Sequence, residues 1–351
     1  MDDVLDDPAR LSALDPAGML DSIRDLPRQC RQAWQEAQGF HLPEDYRRVS
    51  KLAVLGMGGS AIAGDYLRAL GTRLPVAVVR SYELPPWVDE ETLAVASSYS
   101  GNTEETLAAF QQALERGAKL VAVTTGGRLG ELVRERGLPM FRIDYRAQPR
   151  AALGYSLMPL LWVAHLAGAL DDPSPWAEEA LAVLERERQR LDASVPAAEN
   201  PAKLLATRLH GRLVVVFGAG PLAEAAHRFK TQVNENAKAW AFYEELPEAD
   251  HNAIVGFARP EEVSRRTCAV FLRSDRLHPR VLLRYEFTQR ALMEAGVECQ
   301  TVDVPGDGAL AQLLAATLFA DYTSFYLALL NGVDPTPVPE IERLKAWLAG
   351  R

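Results

Sequence analysis

Cysteine is scarce in this chain. Its 351 residues include three, Cys30, Cys268 and Cys299, which lie far apart with no CxxC pair and no histidine at metal-ligand spacing. That excludes a disulfide framework and argues against a structural zinc site. Basic charge is also short: 38 Lys and Arg against 47 Asp and Glu leave a net charge of −9. Such a balance argues against nucleic acid or an anionic membrane as the main partner, while leaving room for a local pocket for a small anion. The most apolar long stretch, residues 151–170, is interrupted by Pro159 and His165 and ends at Asp171-Asp172, so it reads as a buried core helix rather than a membrane span. The opening MDDVLDDPAR is acidic and polar, unlike a signal peptide, and the expected compartment is the cytoplasm.

What is present is the material for two globular domains, with 48% apolar and 24% charged residues. Residues 1–45 read as a helical arm. From Lys51, short runs rich in Val, Ile and aromatic residues (KLAVLG, VAVVRSYELP, TLAVASSYS, KLVAVTT, MFRIDY) alternate with helix-like stretches at residues 60–70, 103–116 and 129–136. Continuous apolar strands between helices predict a parallel sheet covered on both faces, over residues 46–170. Residues 171–200, with Pro173, Pro175 and Pro196 around a charge-rich helix, read as a helical junction. The alternation then resumes over 201–351: RLVVVFGAG, CAVFLRS and ECQTVDV as strands, residues 222–238, 279–295 and 309–330 as helices, and a short C-terminal helix around 344–348. Both halves begin with a strand that passes through glycines into a helix, which points to duplication of one α/β unit.

A glycine turn between a parallel strand and a helix aims backbone N–H groups and the positive end of the helix dipole at one spot, which suits a phosphate. Residues 56–60 fit. Gly56, Gly58 and Ala61 also satisfy G-x-G-x-x-A, the dinucleotide pattern, as do Gly218, Gly220 and Ala223, and the motif could be a plain tight turn. The next loop shifts the balance. In SSYSGNTEET, Ser98, Ser100 and Thr103 place hydroxyls beside a helix start, a compact neutral cradle for a monoester phosphate. Capping of the helix by Thr103 would account for that residue but not for both serines.

GMGGSAIAGDYL followed by SYSGNTEETL resembles the SIS fold, the phosphosugar-binding module of sugar isomerases. The resemblance implies that Gly59, Ser60, Ser98, Ser100 and Thr103 contact the phosphate and substrate, with the loop Thr124-Thr125-Gly126-Gly127 beside them. Further segments extend it: QVNENAK (232–238), HNAIVG (251–256) and DPTPVPEIERLK (334–345) resemble, in order, motifs of the bifunctional phosphoglucose/phosphomannose isomerases. The fold implied is α/β, with two SIS-type doubly wound parallel-sheet domains, an N-terminal helical arm and a C-terminal helix.

Aldose–ketose isomerisation moves a proton between neighbouring carbons through an enediol. It needs a base near C1 and C2, a cation near the developing oxyanion and an acid/base pair to open the ring, with no obligatory cofactor or metal. The resemblance implies that Glu235, which looks buried among amides, is the base. It implies that His251, supplied to the other subunit of a homodimer, and Lys345 open the ring, and that Arg150 steadies the enediolate. Read without the resemblance, Glu235 could be a helix-end hydrogen-bonding residue, His251 an exposed loop histidine, Lys345 a solvated helix charge and Arg150 a partner to a surface carboxylate. One departure stands out: Ala253 follows His251-Asn252 where the family usually carries an acidic residue. Two competing readings are a sugar-phosphate-binding regulator without chemistry and a nicotinamide enzyme. The second leaves the serine loop without a role.

Overall fold

The structure, a computed structural model, describes residues 2–350. Its framework is a set of short strands buried on both faces. All of Thr92–Ser97 is buried, as is Lys51–Leu55 apart from its first residue, which marks parallel strands covered by helices on either side. The first sheet contains β1 (Lys51–Leu55), β2 (Val76–Val79), β3 (Thr92–Ser97), β4 (Lys119–Thr124) and β5 (Met140–Arg142), all parallel, in the order β2-β1-β3-β4-β5. The second contains β6 (Leu213–Ala219), β7 (Ala241–Leu246), β8 (Thr267–Arg273) and β9 (Glu298–Asp303), also parallel, in the order β7-β6-β8-β9.

The helices of the first half are α1 (Asp2–Leu5), α2 (Pro8–Leu14), α3 (Met19–Arg24), α4 (Leu26–Gln38), α5 (Gly58–Ala69), α6 (Glu104–Glu115), α7 (Gly127–Glu135) and α8 (Leu153–Leu166). The second half adds α9 (Ser174–Leu191), α10 (Pro201–Leu209), α11 (Pro221–Ala237), α12 (Glu261–Ser264), α13 (Pro279–Glu294), α14 (Ala309–Asn331) and α15 (Pro339–Ala349). Several starts are readable from local chemistry. Asp7 and Asn200 each accept from backbone N–H groups of the next turn, with proline in the first helical position. By length and composition α14 could cross a membrane, but 94% of its most apolar window is buried inside the protein.

The chain forms two compact units. One, here the first unit, comprises Asp25–Arg186 with Pro305–Ala315 and holds the first sheet. The second unit comprises Met1–Arg24, Glu187–Val304 and Ala316–Arg351 and holds the second sheet. In the first, Leu55, Ala96, Phe110, Leu120 and Val133 belong to one core between the sheet and the α6–α7 face. In the second, Phe217, Phe271, Tyr285 and Leu292 do the same between sheet and α13. Residues 2–24 are tied into the second unit by buried Lys203, whose Nζ donates to Asp6 Oδ1 and to the Ala193 and Val195 carbonyls, each at 2.8 Å.

The strand order has one functional consequence. In each sheet the chain leaves the first strand on one side and returns on the other, which creates a switch point between β1 and β3 and another between β6 and β8. Beyond the carboxyl ends of those strands the loops part and leave room for a ligand.

Candidate active site

At the switch point of the first unit, the turn after β1 meets the serine loop after β3. A side chain at Gly56 would place its Cβ 2.8 Å from the Ser97 carbonyl, so only glycine allows this approach. Ser60 Oγ, in the first turn of α5, accepts from Tyr99 N at 3.4 Å and links the two loops. Within the serine loop, Ser98 Oγ and Thr103 Oγ1 face each other at 3.0 Å, and Ser98 Oγ also accepts from Gly101 N at 3.2 Å. Thr103 stands at the N-cap of α6, yet among the described residues its hydroxyl caps no backbone N–H. The capping account therefore fails: this hydroxyl turns toward Ser98, and the first N–H groups of α6 remain for a ligand. Ser100 is exposed, and its Oγ accepts from Asn102 N at 3.2 Å. Ser97 Oγ and Thr106 Oγ1, both buried beside this loop, find no hydrogen-bond partner among the described residues.

The loop at residues 124–127 buttresses this cradle. Thr125 donates to the Tyr99 carbonyl through both N (3.1 Å) and Oγ1 (2.8 Å), and Arg128 N donates to Asn102 Oδ1 at 2.9 Å. Gly101 has φ +69°, and a Cβ there would lie 1.9 Å from the Gly126 carbonyl, so the two loops interlock through glycine.

Arg150 joins the same end of the sheet, a placement that its sequence spacing gave no reason to expect. It lies in a 3-10 turn, Pro149–Ala151, and is 3% exposed, which rules out the surface-pair reading. Gly59 makes the approach possible: its Cβ would sit 3.3 Å from the Pro149 carbonyl and 3.4 Å from Arg150 Cα. Tyr99 holds the preceding segment, with its hydroxyl donating to the Tyr145 carbonyl and accepting from Ala147 N at 2.9 Å. Burial pushes the Tyr99 phenol above its ordinary range, so it stays a neutral bridge. Sequence reasoning missed Tyr99, although its place inside the serine motif was a visible cue.

In the second unit, Glu235 lies in the last turn of α11. It is only partly buried, against the sequence expectation; the buried polar members of its motif are Gln232 and Asn236. The difference follows from helix periodicity, which places Glu235 at the margin of the stripe those residues define. The rest of the motif fixes the helix end. Asn234 Nδ2 donates to the Ala239 carbonyl at 2.9 Å. Lys238 adopts a left-handed φ of 53° and its Nζ donates to the Glu235 carbonyl at 2.5 Å and the Pro335 carbonyl at 3.1 Å. The structure thus joins two motifs that lie far apart in sequence, QVNENAK and the segment from Asp334.

His251 ends a 3-10 turn, Glu248–His251, and is exposed. Its neighbour Asp250, also missed from sequence, pins this turn to α13 by accepting from Arg284 Nη1 at 2.9 Å and Thr288 Oγ1 at 2.7 Å. Asn252 Oδ1 accepts from Ala253 N at 2.6 Å, so the residue that departs from the family pattern keeps its backbone capped. Lys345 is exposed on α15 and paired with Glu342 at 2.8 Å.

The first unit therefore offers a phosphate-sized set of neutral donors with a buried arginine at the same end of its sheet, and the second offers a carboxylate on a pinned helix end. Comparison with known proteins gives the family. Residues 45–136 match the SIS domain, and residues 198–348 match the bacterial phospho-glucose isomerase C-terminal SIS domain. A bifunctional phosphoglucose/phosphomannose isomerase from Caldicellulosiruptor bescii is 37% identical over 94% of this chain and 99% of its own. One from Aquifex aeolicus is 33% identical over 90% of this chain and 98% of its own. Among solved structures, a glucose-6-phosphate isomerase like protein from Thermus thermophilus shares the fold with a TM-score of 0.64 at 23% identity, over 97% of this chain and 98% of that one. By its fold and its full-length relatives, this chain belongs to the bifunctional phosphoglucose/phosphomannose isomerase family.

Proposed function

We propose that this protein interconverts fructose 6-phosphate with glucose 6-phosphate and mannose 6-phosphate through an enediol. The observation that carries the reading is the Ser98–Thr103 pair, whose hydroxyls face each other at 3.0 Å above a helix start that neither caps. Ser60, Ser98, Ser100 and Thr103 and the α6 N–H groups bind the phosphate, and Gly59 lets the loop approach the sugar. His251 and Lys345 open the ring by moving a proton between the ring oxygen and the anomeric hydroxyl. Glu235 takes the proton from the carbon next to the carbonyl and returns it to the neighbouring carbon, while a second proton moves between the two oxygens. Arg150 offsets the negative charge on the enediolate oxygen. Lys345 rests on the shared tail segment alone, since its visible partner is Glu342.

The partner in this reading is a second copy of the chain, in the cytoplasm. Its support comes from within the second unit. β7 and β9 lie on opposite sides of the β6–β8 pair, so right-handed crossovers put α11 and α13 on opposite faces of the sheet. Glu235 rides on α11, whereas the turn bearing His251 is bonded to α13. One chain's His251 is thus poorly placed for its own Glu235. Beside it, Ile254, Leu283 and Phe287 line a groove of about 350 Å³ with Asp250, Arg280 and Arg284; Leu283 and Phe287 are 54% and 61% exposed.

A coupled assay tests the reading. Purified protein given fructose 6-phosphate is expected to form both aldose phosphates without added metal. Tight binding with neither product formed would replace it with the regulator reading.

A further inference from the structure

Helix α11 presents Glu235 from a stripe of buried polar groups. Arg228, Gln232 and Glu235 follow one another at spacings of four and three, so they share one side of the helix, with Asn236 alongside. Arg228, Gln232 and Asn236 are 1%, 2% and 0% exposed. The part of α14 that belongs to the same unit meets this stripe with polar partners in the same order. Arg228 Nη2 donates to Asp321 Oδ1 at 3.2 Å and Oδ2 at 3.3 Å, and Gln232 Nε2 donates to Asp321 Oδ1 at 2.6 Å. Asn236 Nδ2 donates to Ser324 Oγ at 3.0 Å, which itself donates to the Asp321 carbonyl at 3.0 Å. Asn331 Nδ2 donates to the Ala237 carbonyl at 2.9 Å, at the last residue of α11.

A buried ion pair in a helix seam is a weak source of stability, because apolar residues of similar volume usually do as well or better. What such a seam supplies is register. A roll or slide of α11 by one residue breaks every one of these bonds, whereas apolar packing would tolerate it. Glu235 lies within one turn of Gln232 and Asn236, so the rotation they fix is the rotation that aims its carboxylate.

We propose that Asp321, Ser324 and Asn331 are positioning residues that hold α11 in the orientation in which Glu235 reaches the reacting carbons of the sugar phosphate. The proposal rests on Glu235 being the base. The test compares the parent, Asp321→Asn, the double variant Ser324→Ala/Asn331→Ala and Glu235→Gln. For each, kcat and KM for fructose 6-phosphate are measured, together with deuterium taken up per product molecule in D2O. The double variant removes hydrogen bonds without stranding a charge, so it decides the matter if Asp321→Asn does not fold.

The expected result is a fall in kcat of about tenfold to a hundredfold with KM within about twofold, the size of effect that small misplacement of a reacting group produces. Deuterium per product changes as well, because a misaimed base partitions differently between transfer and exchange. A purely structural role would lower the amount of active protein and leave deuterium per product at the parent value. Parent kcat and parent deuterium uptake in the folded double variant, with Glu235→Gln inactive, overturn the positioning role alone. An active Glu235→Gln overturns the assignment of the base, and the positioning role with it.

Discussion

At the residue scale, the serine loop was legible because its hydroxyls are contiguous in sequence and precede a helix start. Arg150 and Asp250 carried no such local signal, and Tyr99 showed only its place inside the serine motif, not its contact. Each acquires its role from a contact between segments far apart in the chain: Arg150 with Gly59, Tyr99 with residues 145–147, Asp250 with α13. The buried state expected for Glu235 was wrong because amide neighbours in sequence say nothing about which side of the helix faces the core. Thr103 permits the cleanest test of the cradle, since its hydroxyl serves no cap. Thr103→Val keeps the shape and removes one bond to a charged phosphate, which is expected to raise KM for fructose 6-phosphate about tenfold to a hundredfold. The phosphate is remote from the reacting carbons and held equally throughout, so kcat should change little. Steady-state kinetics check this, and an unchanged KM removes Thr103 from the phosphate site.

At the element scale, the alternation of apolar strands and helices located eight of the nine strands among the described residues. The missed one, β7, is an edge strand whose sequence AFYEEL places two glutamates among aromatics. An edge strand is exposed along one side, so it lacks the continuous apolar run that marks its neighbours. The C-terminal helix also runs longer than expected, from Pro339, because the proline that looked like a breaker is its first residue. The N-terminal helices gain their anchorage from ion pairs invisible in sequence. Burial alone would raise the Asp192 carboxyl, but Arg24 at 2.6 Å and the donors of Ser194 outweigh it and hold the group at about 2, below its ordinary 3.8. A depressed folded-state value contributes stability above the unfolded value that is lost as pH falls toward the folded one. Asp192→Asn should therefore melt below the parent at neutral pH, and the gap should close between pH about 4 and about 2. Thermal melts across that range check it; a gap independent of pH contradicts the ion-pair account.

At the scale of the whole molecule, two doubly wound units of one design carry different parts of the proposed chemistry, phosphate binding in the first and proton transfer in the second. The duplication was legible from the repeated strand–glycine–helix starts. What the second unit does with its copy was legible only through the resemblance, because Glu235 lies at the end of α11 and not in the glycine turn after β6. If the partner subunit supplies His251, mixing Glu235→Gln with His251→Ala should restore activity. Random exchange makes half the dimers mixed, each with one intact site, so activity should recover to about a quarter of the parent level. Mixing that yields no gain places both residues in service of the same chain's site.

The central claim is that a single carboxylate moves the proton that interconverts the sugars, and the initial rate of glucose 6-phosphate formation from fructose 6-phosphate by Glu235→Gln tests it most directly. The account predicts a loss of about a hundredfold to ten-thousandfold in kcat with KM nearly unchanged, since the amide fills the same space and cannot accept the proton. Turnover within about twofold of the parent would contradict it.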